Sequence, residues 1–170
     1  QQLWVGTMQG TVHRYRPQDE RLTTFPLFTR FDINDQSGYI FDFYQDRIGR
    51  IWASSWHGGV FVFNPQDEDW SRLGHDPRDP NSLPSNRTSV FHEDHTGKIW
   101  LGTWKGLAYA QSLKAFEVLS LDSMPVRSAS AVETGPAGEL WVGTVGSGLW
   151  QHDSLGVSIV DSQSEERQLM

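Results

Sequence analysis

A tryptophan-centred motif recurs four times along the chain and constrains its fold more than any other feature. Its anchors stand 48, 48 and 41 residues apart, at Trp4, Trp52, Trp100 and Trp141. A glycine lies three positions before three of the anchors, at Gly49, Gly97 and Gly138. A small residue lies two positions after every anchor, at Gly6, Ser54, Gly102 and Gly143. A period of roughly 40–50 residues is typical of β-propeller blades.

Each repeat reads as short strands joined by tight turns. YIFDFYQ (39–45) and TSVFHE (88–93) are rich in β-branched and aromatic residues and end at DRIG and DHTG, which are turn sequences. RIWASS and KIWLGT then supply a second strand, VFVF and LAYA a third, and WSRL and FEVLSL a fourth. No capped segment of helical period exceeds about two turns. The sequence therefore predicts an all-β chain of four-stranded antiparallel meanders.

The strands indicate how these sheets pack. IFDFY and IWASSW carry nonpolar side chains at both parities, as in sheets that are covered on both faces. We expect the anchor indole to fill the wedge between blades and the glycine after it to admit the neighbouring backbone. A β-sandwich is the alternative, but its strands would not share a repeated signature. The prediction is a β-propeller fragment of about four blades, with blade repeats at 1–33 (incomplete), 34–80, 81–122 and 123–160, and a tail or linker at 161–170.

Composition excludes several classes of function. The net charge is −7, and the 14 Lys and Arg residues are scattered, which argues against nucleic acid as a partner. The absence of cysteine excludes disulfides, thiolate metal sites and cysteine nucleophiles. No apolar run approaches the roughly 20 residues of a spanning helix. The chain also enters the repeat in its middle, without an initiator Met, which indicates a piece of a longer protein.

The motif of Asp, Gly, apolar residue and Trp, followed by Gly-Thr and Gly-Leu, resembles the two-component regulator propeller repeat. Residues 75–107 match this pattern almost from end to end, and the resemblance covers essentially residues 2–160. Two departures are local. Ser54 and Ser55 replace Gly-Thr in the second repeat, and TGPAGELW lacks the turn aspartate in the last.

The resemblance implies a role for the parent protein. Such propellers are typically the periplasmic or extracellular sensor region of membrane-anchored histidine kinases and hybrid two-component regulators, whose signal is in several cases an oligosaccharide or its breakdown product. Catalysis would then lie in domains outside this chain, and contact with the membrane would occur only through the parent protein. No cofactor and no metal is expected.

The number of blades raises the question of ring closure. Four blades, one of them incomplete, are near the lower limit of a closed propeller, and an open arc leaves blade faces uncovered. Three partners are open: the remaining blades of the parent propeller, a second copy of the chain, or the arc's own ends in a small strained ring. We favour the first. A scaffold arc that mediates self-association or protein interaction remains the alternative function.

Candidate ligand-binding residues lie where the turns between second and third strands meet the inter-blade connectors. These turns carry Trp56 and His57 in one repeat and Trp104 and Lys105 in the next. Indoles can stack on sugar rings, so carbohydrate or aromatic ligands fit, although both indoles could instead pack over neighbouring blades. The connectors add Arg87 and Arg127, each of which could bind a ligand carboxylate or pair with a neighbouring Asp.

Other polar residues give weaker signals. Asp42 lies in an innermost-strand candidate and would either line the channel or bond to turn backbone. HEDH (92–95) lacks a third metal ligand at a recognisable spacing, and DINDQSG (32–38) lacks the glutamate of a calcium loop. No catalytic triad or phosphate loop stands out, so a propeller lyase or hydrolase would depend on His57 as a lone general base.

Overall fold

The computed structural model describes residues 2–34, 38–112, 115–119, 128–154 and 156–160. The strands of these residues form four antiparallel sheets, in each of which consecutive strands are hydrogen-bonded neighbours. The first sheet has three strands and the other three sheets have four. The all-β fold class and the incomplete first sheet are therefore confirmed.

We call the sheets blades 1 to 4 in chain order. Blade 1 consists of β1 (Leu3–Gly6), β2 (Thr11–Arg16) and β3 (Arg21–Pro26), and the helix α1 (Leu27–Arg30) follows it. Blade 2 consists of β4 (Ile40–Gln45), β5 (Ile51–Ser55), β6 (Gly59–Asn64) and β7 (Asp69–Leu73). Blade 3 consists of β8 (Thr88–Glu93), β9 (Ile99–Thr103), β10 (Gly106–Ser112) and β11 (Ala115–Val118). Blade 4 consists of β12 (Ala129–Thr134), β13 (Leu140–Thr144), β14 (Leu149–Asp153) and β15 (Gly156–Val160).

The anchor tryptophans show which strand blade 1 lacks. They lie on β1, β5, β9 and β13, so β1 is equivalent to the second strand of the other blades. The first strands β4, β8 and β12 contact one another in succession and form the inner side of the arc. Among the residues described, blade 1 has no strand in this inner position.

A carboxylate at the first turn of blades 2 and 3 binds the anchor indole. The Asp46 carboxylate accepts hydrogen bonds from the Trp52 indole N–H at 2.9 Å and from the Arg50 backbone N–H at 2.9 Å. Asp94 accepts one from the Trp100 indole N–H at 2.8 Å in the same way. Each aspartate therefore closes its turn and fixes the tryptophan six residues later.

Blade 4 makes the same bond from a different position. Gly135 stands where the aspartate is expected, and Glu139 supplies the carboxylate, accepting a hydrogen bond from the Trp141 indole N–H at 3.1 Å. A Cβ atom at Gly135 would lie 2.1 Å from that carboxylate, so the missing side chain makes room for it. The turn also needs a residue at positive φ, which is glycine in all three blades: Gly49 at 87°, Gly97 at 89° and Gly138 at 87°.

The anchor indoles of blades 2 and 3 pack toward the following blade. Trp52 lies in a buried cluster with Phe91 and Leu101 of blade 3, and Trp100 lies in one with Val132 of blade 4. Their exposed fractions are 1% and 5%. These clusters show that the two indoles fill the wedge between neighbouring blades, as expected.

Residues after the anchor set how closely blades approach. A Cβ at Gly6 would lie 2.5 Å from the Ile40 Cβ of blade 2, and one at Gly102 would lie 2.8 Å from the Ala129 carbonyl oxygen of blade 4. Ser54 occupies the equivalent position in blade 2 and donates a hydrogen bond to the Ser89 carbonyl at 2.6 Å. The serine therefore replaces close backbone approach with a bond between blades.

Two buried features between blades 1 and 2 are not apparent from the repeat. Phe28 of α1 packs so closely that a Cβ at Gly10, Gly38 or Gly58 would overlap its ring. Arg14 is 3% exposed, contacts the Trp4, Phe25 and Phe63 rings at 5.3–5.7 Å, and pairs with Glu68 at 3.2 Å. The helix and the arginine fill space left around the three-stranded blade.

Removing the Asp94 carboxylate should destabilise the fold, because the buried indole N–H of Trp100 would lose its acceptor. We expect Asp94→Ala to lower the free energy of unfolding by about 2–3 kcal/mol in urea titrations. Asp19→Ala, which removes an exposed partner of Arg16, should cost less than about 1 kcal/mol. Equal losses in the two variants would contradict a special role for Asp94.

The same bond should give the fold an acid-sensitive component. Burial by itself raises the pKa of Asp94, but hydrogen bonds from Thr96, Trp100 and Lys98 outweigh it and lower the pKa to about 2. A lowered native pKa adds stability above the unfolded value of about 3.9, and this stability is lost as the pH falls toward 2. The stability difference between wild type and Asp94→Ala should therefore shrink between about pH 4 and pH 2.

The close approach at Gly102 should make it intolerant of a side chain. Gly102→Ala should lower the free energy of unfolding by about 1–3 kcal/mol, because its Cβ meets backbone of blade 4. Gly143 is the equivalent residue of blade 4, and the nearest atom to a Cβ there is the Ala131 Cβ at 3.2 Å. Gly143→Ala should be close to neutral, so a loss as large as that of Gly102→Ala would reject this explanation.

Candidate functional site

The turns between second and third strands meet the inter-blade connectors at one end of the arc. The Trp56 backbone N–H donates to the Tyr39 carbonyl at 2.8 Å, and the Trp104 N–H donates to the Arg87 carbonyl at 2.9 Å. Val145 makes the equivalent bond to the Ser128 carbonyl at 3.1 Å. We call this end of the arc the mouth.

The repeated hydroxyl after each anchor shapes these turns. Thr103 donates to the Gly106 carbonyl at 2.8 Å and accepts from the Lys105 backbone N–H at 3.1 Å. Thr144 and Ser55 make the corresponding bonds to the carbonyls of Gly148 and Gly59. The residue that carries the hydroxyl therefore has a structural role: its bonds hold the turn that places the next two side chains at the mouth.

The two candidate tryptophans contact each other across the junction of blades 2 and 3. Their rings are 5.1 Å apart and nearly perpendicular, at 87°. Trp56 is half-buried, with Phe41 edge-on at 5.8 Å and His57 stacked at 5.8 Å. Trp104 remains 40% exposed. The indoles do pack over neighbouring blades, and one of them still offers surface to solvent.

Arg87 lies beside both indoles. Its guanidinium carbon is 5.0 Å from the Trp56 ring centroid and 5.5 Å from that of Trp104, which is cation–π geometry. Its backbone N–H donates to the Ser85 hydroxyl at 3.1 Å. No carboxylate of the residues described forms a salt bridge with Arg87. The predicted alternative of a neighbouring Asp partner is therefore not seen in this part of the chain.

A cleft of about 380 Å³ opens next to these side chains, which we call the Arg87 cleft. Its walls are His57, Ser85, Asn86, Arg87, Trp104 and Lys105. Asn86 is fixed on both sides, since its carbonyl accepts from the Gly59 N–H at 2.9 Å and its side-chain oxygen accepts from the His75 N–H at 2.7 Å. The volume falls within the range of small-molecule sites.

His57 has a lowered pKa in this partly buried, positively charged environment. Burial and, after it, the positive charge of Arg87 lower the pKa of His57, so the imidazole is neutral at pH 7. Its backbone has a positive φ of 77° in the turn between β5 and β6, and its side chain lines the Arg87 cleft. A neutral imidazole donates a hydrogen bond from one ring nitrogen and accepts a hydrogen bond at the other.

Asp42 lies elsewhere and joins two blades. Its carboxylate accepts a hydrogen bond from the Phe91 backbone N–H of β8 at 3.0 Å, and its own N–H donates to the Ser54 hydroxyl at 3.1 Å. A register shift between Thr88 and Phe91 marks a bulge in β8 next to that bond. The carboxylate therefore bonds to backbone, but the backbone is that of strand β8 in the next blade and not that of a turn, as the second alternative had predicted.

Two sequence candidates remain, Arg127 and the HEDH segment. Arg127 lies outside the described residues. In HEDH, Asp94 is used by its turn and His92 bonds the Thr134 hydroxyl at 2.5 Å. No group of three or more metal-ligating side chains occurs in the part of the chain that the structure describes. None of the described helices has the length and apolarity to cross a membrane.

Sequence reasoning missed two mouth residues, Tyr39 and Phe41, whose rings are 5.9 Å apart. Tyr39 is equivalent to Arg87, because each lies just before a first strand and accepts the turn bond described above. Alignment of the connectors by that position, rather than by the tryptophan alone, would have found it.

The family and structural comparisons agree with this architecture. Residues 82–105 match the family model described as the two component regulator propeller. The extracellular domains of two hybrid two component systems from B. thetaiotaomicron superpose on the chain. The domain of BT3049 has 18% identity over 95% of this chain and 23% of its own, with a TM-score of 0.79. The domain of BT4673 has 20% identity over 96% and 21%, with a TM-score of 0.67.

A third solved structure is an inactive variant of virginiamycin B lyase from Staphylococcus aureus with quinupristin, at 11% identity over 92% of this chain and 55% of its own, with a TM-score of 0.57. No curated protein matches the chain significantly. The chain spans less than a quarter of the length of the two B. thetaiotaomicron domains. These likenesses show the fold, and the chain carries a two component regulator propeller repeat within a β-propeller architecture.

Proposed function

We propose that this chain is a ligand-binding segment of an extracytoplasmic sensor domain in a two-component signalling protein. The Arg87 cleft is the observation that carries the proposal, since it combines aromatic surface, cations and a neutral imidazole at a propeller mouth. The repeat match at 82–105 and the likeness to extracellular domains of hybrid two component systems support the context. The segment binds a signal, and catalytic output belongs to another domain of the parent protein.

The ligand that we propose is derived from a carbohydrate. A sugar ring has an apolar C–H face and a rim of hydroxyl groups, so it matches an exposed indole surrounded by hydrogen-bonding groups. Trp104 offers the indole surface, while His57 and Ser85 stand on the same walls.

Self-association is a second candidate function, because both ends of the arc expose apolar side chains. Leu3 and Val5 of β1 are 57% and 45% exposed. The residues at the same two positions of blades 2 to 4 are at most 7% exposed: Ile51, Ala53, Ile99, Leu101, Leu140 and Val142. Leu149 of blade 4 is likewise 40% exposed, whereas its equivalents Val60 and Leu107 are fully buried.

We infer that further blades cover these two end faces, and we favour blades of the parent propeller over a second copy. At every interface inside the arc, the face of one blade that carries its anchor indole packs on the face of the next blade that carries the residues on either side of its anchor. A second copy would repeat this head-to-tail pairing and could close a ring.

Binding of a sugar should be visible in the tryptophan fluorescence of the chain. A panel of oligosaccharides should contain ligands that change the emission, and Trp104→Ala should weaken their binding about tenfold or more, or 1.4 kcal/mol. Val145→Ala changes the equivalent turn of blade 4 and should leave the affinity unchanged. The absence of binding across the panel would reject the carbohydrate proposal.

Light scattering should distinguish the two possible partners of the end faces, a second copy of the chain and the blades of the parent propeller. A second copy predicts a mass that rises with concentration and returns to that of the monomer in Leu3→Lys, because the charge would be buried in the interface. Ile48→Lys places the same charge at a 71% exposed turn position and should have no effect. A constant monomer mass in the wild type would exclude self-association and leave parent blades as the partner.

A further inference from the structure

The charge of the Arg87 cleft is opposite to that of the chain as a whole. The sequence has 21 acidic and 14 basic residues, yet the walls that described residues form contain Arg87 and Lys105 and no carboxylate. Lys105 is exposed, and its backbone N–H is held by Thr103 at 3.1 Å. Two cations therefore line a shared space, and none of the described wall residues has an acidic side chain that could neutralise them.

Arg87 also differs from the other arginines that the structure describes. Seven of them have an oxygen partner, namely Arg14, Arg16, Arg30, Arg47, Arg50, Arg72 and Arg78. Arg21 is exposed at the start of β3, whereas Arg87 is half-buried between two indoles. Cation–π contacts hold the charge in place but supply no oxygen acceptor to its N–H groups.

We propose that the Arg87 cleft binds a sugar that bears a carboxylate, with the carboxylate on Arg87 and Lys105 and the ring against Trp104. This inference rests on the proposed carbohydrate-binding function and names the class of sugar. A guanidinium presents a planar pair of N–H donors that matches a carboxylate, and such charge-assisted bonds are strong where both groups are partly shielded from water.

The geometry favours an anionic sugar over a neutral one for a physical reason. A half-buried guanidinium that gains a neutral hydroxyl keeps its charge uncompensated, whereas a carboxylate compensates it and keeps the hydrogen bond. The indole pair fixes the guanidinium before the ligand arrives, so little side-chain entropy is lost on binding.

The experiment compares matched sugars that differ in one group. Oligomers of galacturonate, glucuronate and mannuronate are titrated calorimetrically into the 170-residue chain beside galactose, glucose and mannose oligomers of equal length. At least one acidic oligomer should bind tenfold or more tightly than its neutral counterpart, and 0.5 M salt should reduce that preference. A sulfated neutral oligomer is the third arm, and tighter binding of it than of the carboxylate would overturn the choice of anion.

Variants assign the preference to the cleft. Arg87→Gln and Lys105→Gln should each remove most of the acidic preference, while Arg21→Gln, which removes an exposed arginine on blade 1, should keep it. Trp104→Ala should weaken acidic and neutral oligomers alike. Thermal unfolding of each variant checks that the fold is intact.

The outcomes distinguish this inference from the function on which it rests. If neutral oligomers bind as tightly as acidic ones and Trp104→Ala weakens both, the acidic class is wrong and the carbohydrate-binding function stands. If Arg87→Gln leaves the preference unchanged, the anion lies elsewhere and the inference fails. If no oligomer binds at millimolar concentration, both proposals fail.

Discussion

The hydrogen bond from the anchor indole to a carboxylate in the first turn is the interaction on which the architecture depends. It joins the turn that starts the second strand to the side chain that fills the wedge toward the next blade. One bond therefore couples the local geometry of a blade to the packing between blades. Its importance is visible in blade 4, where Gly135 and Glu139 recreate the bond after the aspartate has been replaced.

Much of the fold could be predicted because the blades need the same turns and the same contacts with their neighbours, and they use largely the same residue types for them. Spacing alone identified the anchors, the first-turn glycines and the strand order, since turns and wedges are local or repeated requirements. Phe28 and Arg14 were not predictable, because each fills a space created by the irregular first blade and has no repeated equivalent. The role of Glu139 was hidden for a related reason: the sequence shows a lost aspartate, and only the structure shows what replaces it.

The candidate site was predictable to the extent that it departs from the repeat. Trp56, His57, Trp104 and Lys105 stand at turn positions whose identity the blades do not share, and the structure brings three of them to the walls of one cleft. The aromatic contact between Trp56 and Trp104 could not be predicted from the sequence, because it depends on the angle between neighbouring blades. Asp42 had the same signal of irregularity but serves the junction between blades. A residue that differs between repeats is therefore a candidate for a special role, but the difference alone does not show whether that role is in binding or in structure.

The junction beneath the Arg87 cleft carries polar bonds in addition to its apolar core. Ser54 bonds the Ser89 carbonyl, Asp42 bonds the Phe91 N–H, and the Thr88 hydroxyl bonds the backbone of blade 2, so blades 2 and 3 are tied together at several points of the inner strand β8. Directional bonds resist sliding more than apolar packing does, because a small displacement leaves buried donors and acceptors unpaired. A ligand that touches both blades therefore meets walls whose separation is already set, and its binding energy is available for recognition rather than for bringing the two walls together.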